Sequence, residues 1–193
     1  MRACCLKGVS PMMLDESIER VLVSKEELEK IIKRLGETLT EEYKDKSPIV
    51  VGLLKGCIPF MPDLLKHMDL HLEIGYMDVS SYFGGISSTA DVKIEKDLNV
   101  SVKNRDILIA EDIVDSGRTL NAVIDLLQYR GAKSVKVVTL LNKPSGRAVE
   151  YTPDYIGVDI PNLFVVGYGL DYKEFFRNLP YVGILKPEVY EEV

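Results

Sequence analysis

Ile107-Leu108-Ile109-Ala110-Glu111-Asp112-Ile113-Val114-Asp115-Ser116-Gly117-Arg118-Thr119-Leu120 is the stretch that decides how this chain folds. Residues 107–110 form a short apolar run of the kind that fills a strand buried on both faces. The run ends on two adjacent carboxylates. Successive side chains of a strand point to opposite sides, so Glu111 and Asp112 do not decorate a single face. Asp115-Ser116-Gly117-Arg118-Thr119 then supplies a tight turn with hydroxyls. Leu120, Val123, Ile124 and Leu127 follow at helical spacing, and Gly131 closes the pattern as a C-cap.

Strand, glycine-containing turn and helix N-terminus in that order bring backbone N–H groups together around an anion. Ser116 and Thr119 add hydroxyl donors, and Gly117 allows close approach without a Cβ. Two carboxylates one step earlier are placed to accept from vicinal hydroxyls, so the composite reads as a sugar-phosphate site. A plainer reading stands beside it: an acidic strand end whose Asp115 or Ser116 caps the next helix.

Working outward, the 193 residues are enough for one domain with a real core. A hydrophobic content of 46% with 28% charged residues is ordinary for a globular chain. No apolar run approaches the roughly 18 residues that span a bilayer, and residues 1–10 lack the apolar stretch of a secretory signal. Three cysteines, two of them adjacent at Cys4 and Cys5, make neither a disulfide framework nor a metal-ligand spacing, which points to a reduced, cytoplasmic protein. A net charge of −6 with both signs scattered argues against a broad nucleic-acid surface while leaving room for a local basic pocket, and without a long apolar run no membrane partner is expected.

Residues 1–20 carry no clear periodicity and read as a leader expected to be disordered, with a single domain over 21–193. Ser24-Lys25-Glu26-Glu27 has the capping-box form, and Leu28, Ile31, Ile32, Leu35 and Leu39 trace one helix face. Residues 49–54 read as a buried strand, 59–67 as a helix, and Leu70, Leu72, Ile74 and Tyr76 as an alternating strand. A polar stretch over 80–91 joins this strand to Val92 and Ile94 as a hairpin. Further strands are expected at 135–141, 155–158, 163–167 and 181–185. Together these predict an α/β fold: a central parallel sheet flanked by helices, a small accessory hood lobe and a flexible hairpin flap. Ligands of such sheets bind beyond the carboxyl ends of the strands, which puts Leu54-Lys55-Gly56, Glu111-Asp112 and Asn142-Lys143 on one rim. Residues 52–56 lack a Walker ending and Gly167-Tyr168-Gly169 lacks the dinucleotide spacing.

Glu111-Asp112-Ile113-Val114-Asp115-Ser116-Gly117-Arg118-Thr119 resembles the phosphoribosyl-diphosphate (PRPP) motif of type I phosphoribosyltransferases. Its Asp-Ser-Gly-Arg-Thr ending is similar to that of the hypoxanthine-guanine branch, and the resemblance extends over residues 21–185. It implies purine salvage: transfer of 5-phosphoribosyl from PRPP to a 6-oxopurine, giving IMP or GMP and diphosphate. Glu111, Asp112, Asp115, Ser116, Gly117, Arg118 and Thr119 match the phosphoribose site, with Asp115 placed to accept the purine proton. Lys55, Gly56 and Arg177 match the diphosphate site, where relatives have a non-proline cis peptide in Leu-Lys-Gly, and Arg177 counts with Asp115 as catalytic. Lys143, Phe164, Val165 and Asp171 match the purine site. Lys143 is donor-only, which suits a 6-oxo group over adenine's 6-amino group. Ser81 and Tyr82 match the recurring pair of the flap. Glu111, Asp112 and Asp171 are the implied ligands of Mg²⁺, and self-association as a dimer or tetramer is implied as well.

Taken singly, several of these residues have plainer roles. Lys55-Gly56 also reads as a strand-to-helix turn, Phe164 as a strand core residue, Asp171 as the start of a helical turn and Arg177 as a surface charge. Cys57, Phe83 and Ile86 depart from the smaller residues usual in the family. A PRPP-sensing regulator that binds nucleic acid, and a transferase for xanthine or a pyrimidine, are the alternatives to purine salvage with hypoxanthine or guanine.

Overall fold

The computed structural model describes residues 14–81 and 92–190. Its main sheet has six strands: β2 (Ile49–Leu54), β3 (Glu73–Ser81), β4 (Val92–Lys96), β5 (Asp106–Val114), β6 (Ser134–Asn142) and β7 (Tyr155–Asp159). They lie in the order β4-β3-β2-β5-β6-β7, all parallel except the antiparallel edge strand β4. The quoted stretch therefore sits at the centre. Ala110 is opposite Gly52 on one side and Val138 on the other.

Strand alternation divides the core into two layers. Leu108 and Ala110 face helices α1 (Lys25–Glu42) and α2 (Cys57–Leu65), where they meet Leu28, Ile32, Leu35, Leu39, Phe60 and Leu64. Ile107 and Ile109 face α3 (Arg118–Tyr129) and its Leu120, Val123 and Leu127. Full burial of one such side chain contributes roughly 1.5–3 kcal/mol. That outweighs the exposed Lys25–Glu29 and Lys33–Glu37 pairs of α1, both at 3.9 Å, since pairs of this kind add a few tenths of a kcal/mol each. Helix α1 is thus held by its apolar stripe and started by the capping box: Ser24 Oγ accepts from Glu27 N–H, and Glu27 accepts from Ser24 N–H at 2.8 Å. Helix α3 ends as its sequence suggests. Gly131 has φ +83°, its N–H donates to Gln128, and Ala132 N–H donates to Leu127, a Schellman closure.

Above the carboxyl edge lies the hood, a three-stranded antiparallel sheet of order β1-β9-β8, built from β1 (Ile18–Val23), β8 (Val165–Val166) and β9 (Val182–Leu185). Ile18, Val166, Phe176, Leu179 and Leu185 pack its interior. A short C-terminal helix, α4 (Pro187–Tyr190), follows. Of the expected leader, residues 1–13 lie outside the described residues. Leu14–Ser17 is a 3-10 turn, and Ile18 and Arg20 already pair with β9. Helix α2 begins at Cys57, two residues before the expected Pro59, because first-turn N–H groups have no helical partner and a proline there costs nothing. Leu70 and Leu72 pack on the core but precede β3, which starts at Glu73. The flap expected over 80–91 lies outside the described residues from Tyr82 onward, and Ser81 is the last residue of β3.

Candidate active site

Strand β5 delivers Glu111 and Asp112 to the carboxyl edge, and the turn after it leads straight into α3. Gly117 is the N-cap of that helix with φ +78°, a left-handed conformation that L side chains rarely adopt. An added Cβ would also crowd Val149 at 3.0 Å. With glycine at this position, no side chain of the N-cap residue closes the helix end. Ser116 Oγ accepts from Arg118 N–H at 3.5 Å, a long contact that leaves the plainer capping reading weakly supported. The open helix end borders a cleft of about 220 Å³ lined by Glu111, Ile113, Asp115, Ser116, Gly117 and Thr119. Helix-end N–H groups, the Ser116 and Thr119 hydroxyls and the Glu111 carboxylate thus border one cleft, a lining that suits an anion and a sugar, while Asp112 does not line it. Arg118 is exposed at the start of the helix.

Asp112 points to the opposite side of β5, against the loop after β2. A Cβ on Gly56 would lie 1.7 Å from Asp112 Oδ2, so only glycine fits beside this carboxylate. Ile113 N–H donates to Asp112 Oδ1 at 2.9 Å. Burial pushes the Asp112 carboxyl up to about 6 despite that donor and the nearby Arg177, with Asp171 adding to the rise. Burial, reinforced by Asp112, holds Glu111 well above the carboxylate range. The same surroundings push the Cys57 thiol up to about 12, so Cys57 is an inert packing residue. Two adjacent half-buried carboxylates that form no ion pair among the described residues are costly in a core and common in sites that bind something.

The Leu54–Lys55 peptide is cis, as the family resemblance implies. Lys55 Nζ reaches across to Glu174 at 2.8 Å. Gly169 of the hood packs so tightly on this loop that a Cβ there would lie 2.0 Å from Gly56 O. Arg177 Nη1 donates to Gly169 O at 2.7 Å, and its Nη2 lies 2.7 Å from Asp171 and 3.2 Å from Glu174. Its Nε is buried with no hydrogen-bond partner among the described residues. Lys55, Gly56, Asp112, Asp171 and Arg177 are therefore one neighbourhood, drawn from the β2–α2 loop, β5 and the hood.

Lys143 follows β6 and is buried, with Nζ 2.9 Å from Asp115 Oδ2. Gly146 packs against that carboxylate, where a Cβ would lie 1.9 Å from Asp115 Oδ1. Holding this corner is Arg147, which the sequence reading passed over. Its guanidinium donates to the carbonyls of Val114 and Asp115, to Lys143 O at 3.3 Å, to Tyr151 O at 3.1 Å and to the Asn142 side chain. One side chain thus ties the turn after β5 to the end of β6. Its only sequence signal is an arginine four residues past Lys143 in a Pro-Ser-Gly turn. Phe164, expected to stack on a base, is 40% exposed. Tyr190 stacks on it with centroids 5.0 Å apart, and Tyr172 meets it edge-on at 5.8 Å. Val165 is buried in β8.

Glu111, Asp112 and Asp171 do not converge as a ready metal cage; among the described residues no group of three or more acidic, His or Cys side chains is placed to hold an ion. They are hard oxygen donors, the kind that suits a cation sharing its coordination with water and substrate phosphates.

A parallel α/β sheet with an anion cradle and acidic pair at its carboxyl edge, closed by a small antiparallel hood, defines a protein that handles a sugar phosphate. The chain belongs to the phosphoribosyl transferase family, whose domain matches residues 22–173. It is 56% identical over 179 residues to the hypoxanthine-guanine phosphoribosyltransferase of Bacillus subtilis, covering 93% of this chain and 99% of that one. It is 59% identical over 179 residues to the bifunctional protein TilS/HprT of Listeria monocytogenes, where the match covers 93% of this chain but 28% of that protein. The crystal structure of a hypoxanthine phosphoribosyltransferase from Staphylococcus aureus superposes with a TM-score of 0.90 at 48% identity, covering 95% of this chain and 100% of that one.

Proposed function

We propose that this chain transfers the 5-phosphoribosyl group of PRPP to hypoxanthine or guanine, forming IMP or GMP and releasing diphosphate. The observation that carries the reading is the contact of the buried Lys143 ammonium with the half-exposed Asp115 carboxylate at the edge of the proposed phosphate cradle. It sets a donor-only cation and a proton acceptor side by side where a base would meet C1′ of the sugar. The 5-phosphate sits on the turn formed by Asp115, Ser116, Gly117, Arg118 and Thr119, and Glu111 and Asp112 accept from the ribose hydroxyls. Phe164 stacks on the purine, Val165 meets its edge through the backbone, and Lys143 donates to the 6-oxygen. Asp115 takes the proton that the attacking ring nitrogen loses, worth about 10²- to 10⁴-fold in rate. Holding donor and base together removes much of the entropy cost of a bimolecular step. Lys55, the Gly56 backbone and Arg177 receive the departing diphosphate; the forked guanidinium grips two phosphate oxygens.

Asp112 and Asp171 would hold Mg²⁺ together with the substrate; Glu111, the third expected ligand, faces the other side of β5. The cation, when bound, offsets the charge of the diphosphate. Their chemistry supports this: oxygen donors, too few to bind an ion alone, beside the proposed diphosphate cations. The family resemblance gives Ser81 and Tyr82 the task of excluding water, and Tyr82 lies outside the described residues. The protein works in the cytoplasm as a dimer or tetramer; no helix among the described residues is long and apolar enough to cross a membrane.

Incubation with PRPP, Mg²⁺ and each of hypoxanthine, guanine, xanthine and adenine, following nucleotide formation, tests the reading. Product is expected with the first two. Product with adenine alone, or with no base, defeats it.

A further inference from the structure

The two cations assigned to the departing diphosphate already share an anionic side chain of the protein. Glu174 bridges them: its carboxylate lies 2.8 Å from Lys55 Nζ and 3.2 Å from Arg177 Nη2. Resting on the functional reading above, we propose that Glu174 is a built-in anionic occupant of the diphosphate site, which PRPP displaces on entry and which helps diphosphate leave.

The backbone supports a purpose for this placement. Tyr172 and Phe175 pair as a minimal hairpin, with N–H···O contacts of 3.2 and 3.0 Å, leaving Lys173 and Glu174 as its two central residues. Both have positive φ, +51° and +71°, the condition of the tight hairpin turns that ordinarily use Asn-Gly. Phe176 follows at +74°. Three non-glycine residues in the left-handed region within four positions persist only where the surroundings over-determine them, a pattern associated with functional segments. Here Glu174 N–H donates to Asp171 Oδ2 at 2.9 Å, fixing the turn so that the side chain faces Lys55 across the gap between hood and core.

Exposure decides which contacts open. The side chains of Lys55 and Glu174 are 53% and 63% exposed, so their pair is weak and exchangeable. The Arg177–Asp171 pair is less exposed, at 26% and 29%, and shorter, at 2.7 Å, so it keeps the arginine in place while Glu174 swings out. A polyanion arriving at these cations repels the carboxylate and offers both of them more charge than it does. The cost is affinity and the gain is turnover, because a ligand that must displace an internal anion binds less tightly and leaves sooner.

The test is calorimetric binding of inorganic diphosphate with Mg²⁺ to the wild-type chain, Glu174→Gln and Glu174→Ala, with the KM for PRPP and the rate of diphosphate release in parallel. Both variants are expected to bind diphosphate about 3- to 30-fold more tightly, the range set by losing two exposed ion pairs. The KM for PRPP should fall, and diphosphate release should slow. In a Lys55→Ala background the gain from Glu174→Gln should shrink, since its partner is already gone. Unchanged or weaker diphosphate binding in both variants, with wild-type binding intact and unaltered melting temperatures, overturns the inference alone. A wild-type chain that binds no diphosphate and forms no nucleotide overturns the functional reading and this inference with it.

Discussion

Asp115 is held from two directions: Lys143 contacts its carboxylate, and Arg147 takes its carbonyl. Replacing it with Asn keeps the shape and removes the proposed proton acceptor. Asp115→Asn is therefore expected to lower kcat by about 10²- to 10⁴-fold with little change in the KM for PRPP. Near wild-type turnover would remove Asp115 from the mechanism. Asp112 yields a prediction in pH. Its folded carboxyl titrates at about 6, against roughly 4 in an unfolded chain. The folded state therefore holds its proton longer. Any stability from this group is present below about pH 4 and is lost as pH rises through about 6, a change on the order of 1–3 kcal/mol. Asp112→Asn, which mimics the protonated acid, should melt near the wild type at pH 4 and clearly above it at pH 7.5 without ligand, while losing affinity for PRPP. Parallel melting curves across that range would show that the carboxylate carries no such penalty.

At the scale of elements, the loop between β2 and α2 depends on one missing side chain. A Cβ on Gly56 would collide with Asp112, and a Cβ on Gly169 with the Gly56 carbonyl, so core loop and hood meet backbone to backbone. Gly56→Ala is expected to cost about 1–3 kcal/mol of stability and to weaken diphosphate binding more than purine binding, as read by thermal melts and paired titrations. Equal losses for both ligands would mean a general collapse of the site. The same scale shows what the sequence could and could not convey. The buried run of β5, the capping box of α1 and the glycine close of α3 are local, and each was legible from spacing. Strand β1 was not. Ile18-Glu19-Arg20-Val21 interrupts the alternation, because two register shifts against β9 turn Val21 outward, leaving it 50% exposed. Arg147 was equally hidden, since its partners Val114 and Asp115 lie more than thirty positions away and are carbonyls that every residue possesses. The sites read from a family pattern depended on that pattern. Lys55, Asp171 and Arg177 meet only through tertiary contact, which periodicity does not encode.

Across the whole molecule, the ligand is expected to bridge two bodies of unequal stability. The main sheet is packed on both faces, whereas the hood holds three strands, one of them only two residues long. The hood nonetheless carries Phe164, Val165, Asp171 and Arg177, while the phosphate turn and Lys143 belong to the main sheet. A product nucleotide would touch both bodies and add to the hood the binding energy now confined to the core. Local opening draws on the regions with fewest buried contacts, so amides of β1, β8 and β9 should exchange with solvent faster than those of β2, β5 and β6 in the ligand-free protein. Saturating IMP with Mg²⁺ should slow hood exchange toward that of the core, because binding to the closed form alone stabilises it by mass action, about 2.7 kcal/mol at a hundredfold excess over Kd. Hydrogen-exchange mass spectrometry resolves the two groups of strands. Hood amides as slow as the core before ligand is added would sink the two-body picture. Slowing confined to the phosphate turn would mean that the base never reaches Phe164, leaving the stack of Tyr190 on that ring as its resting and working state.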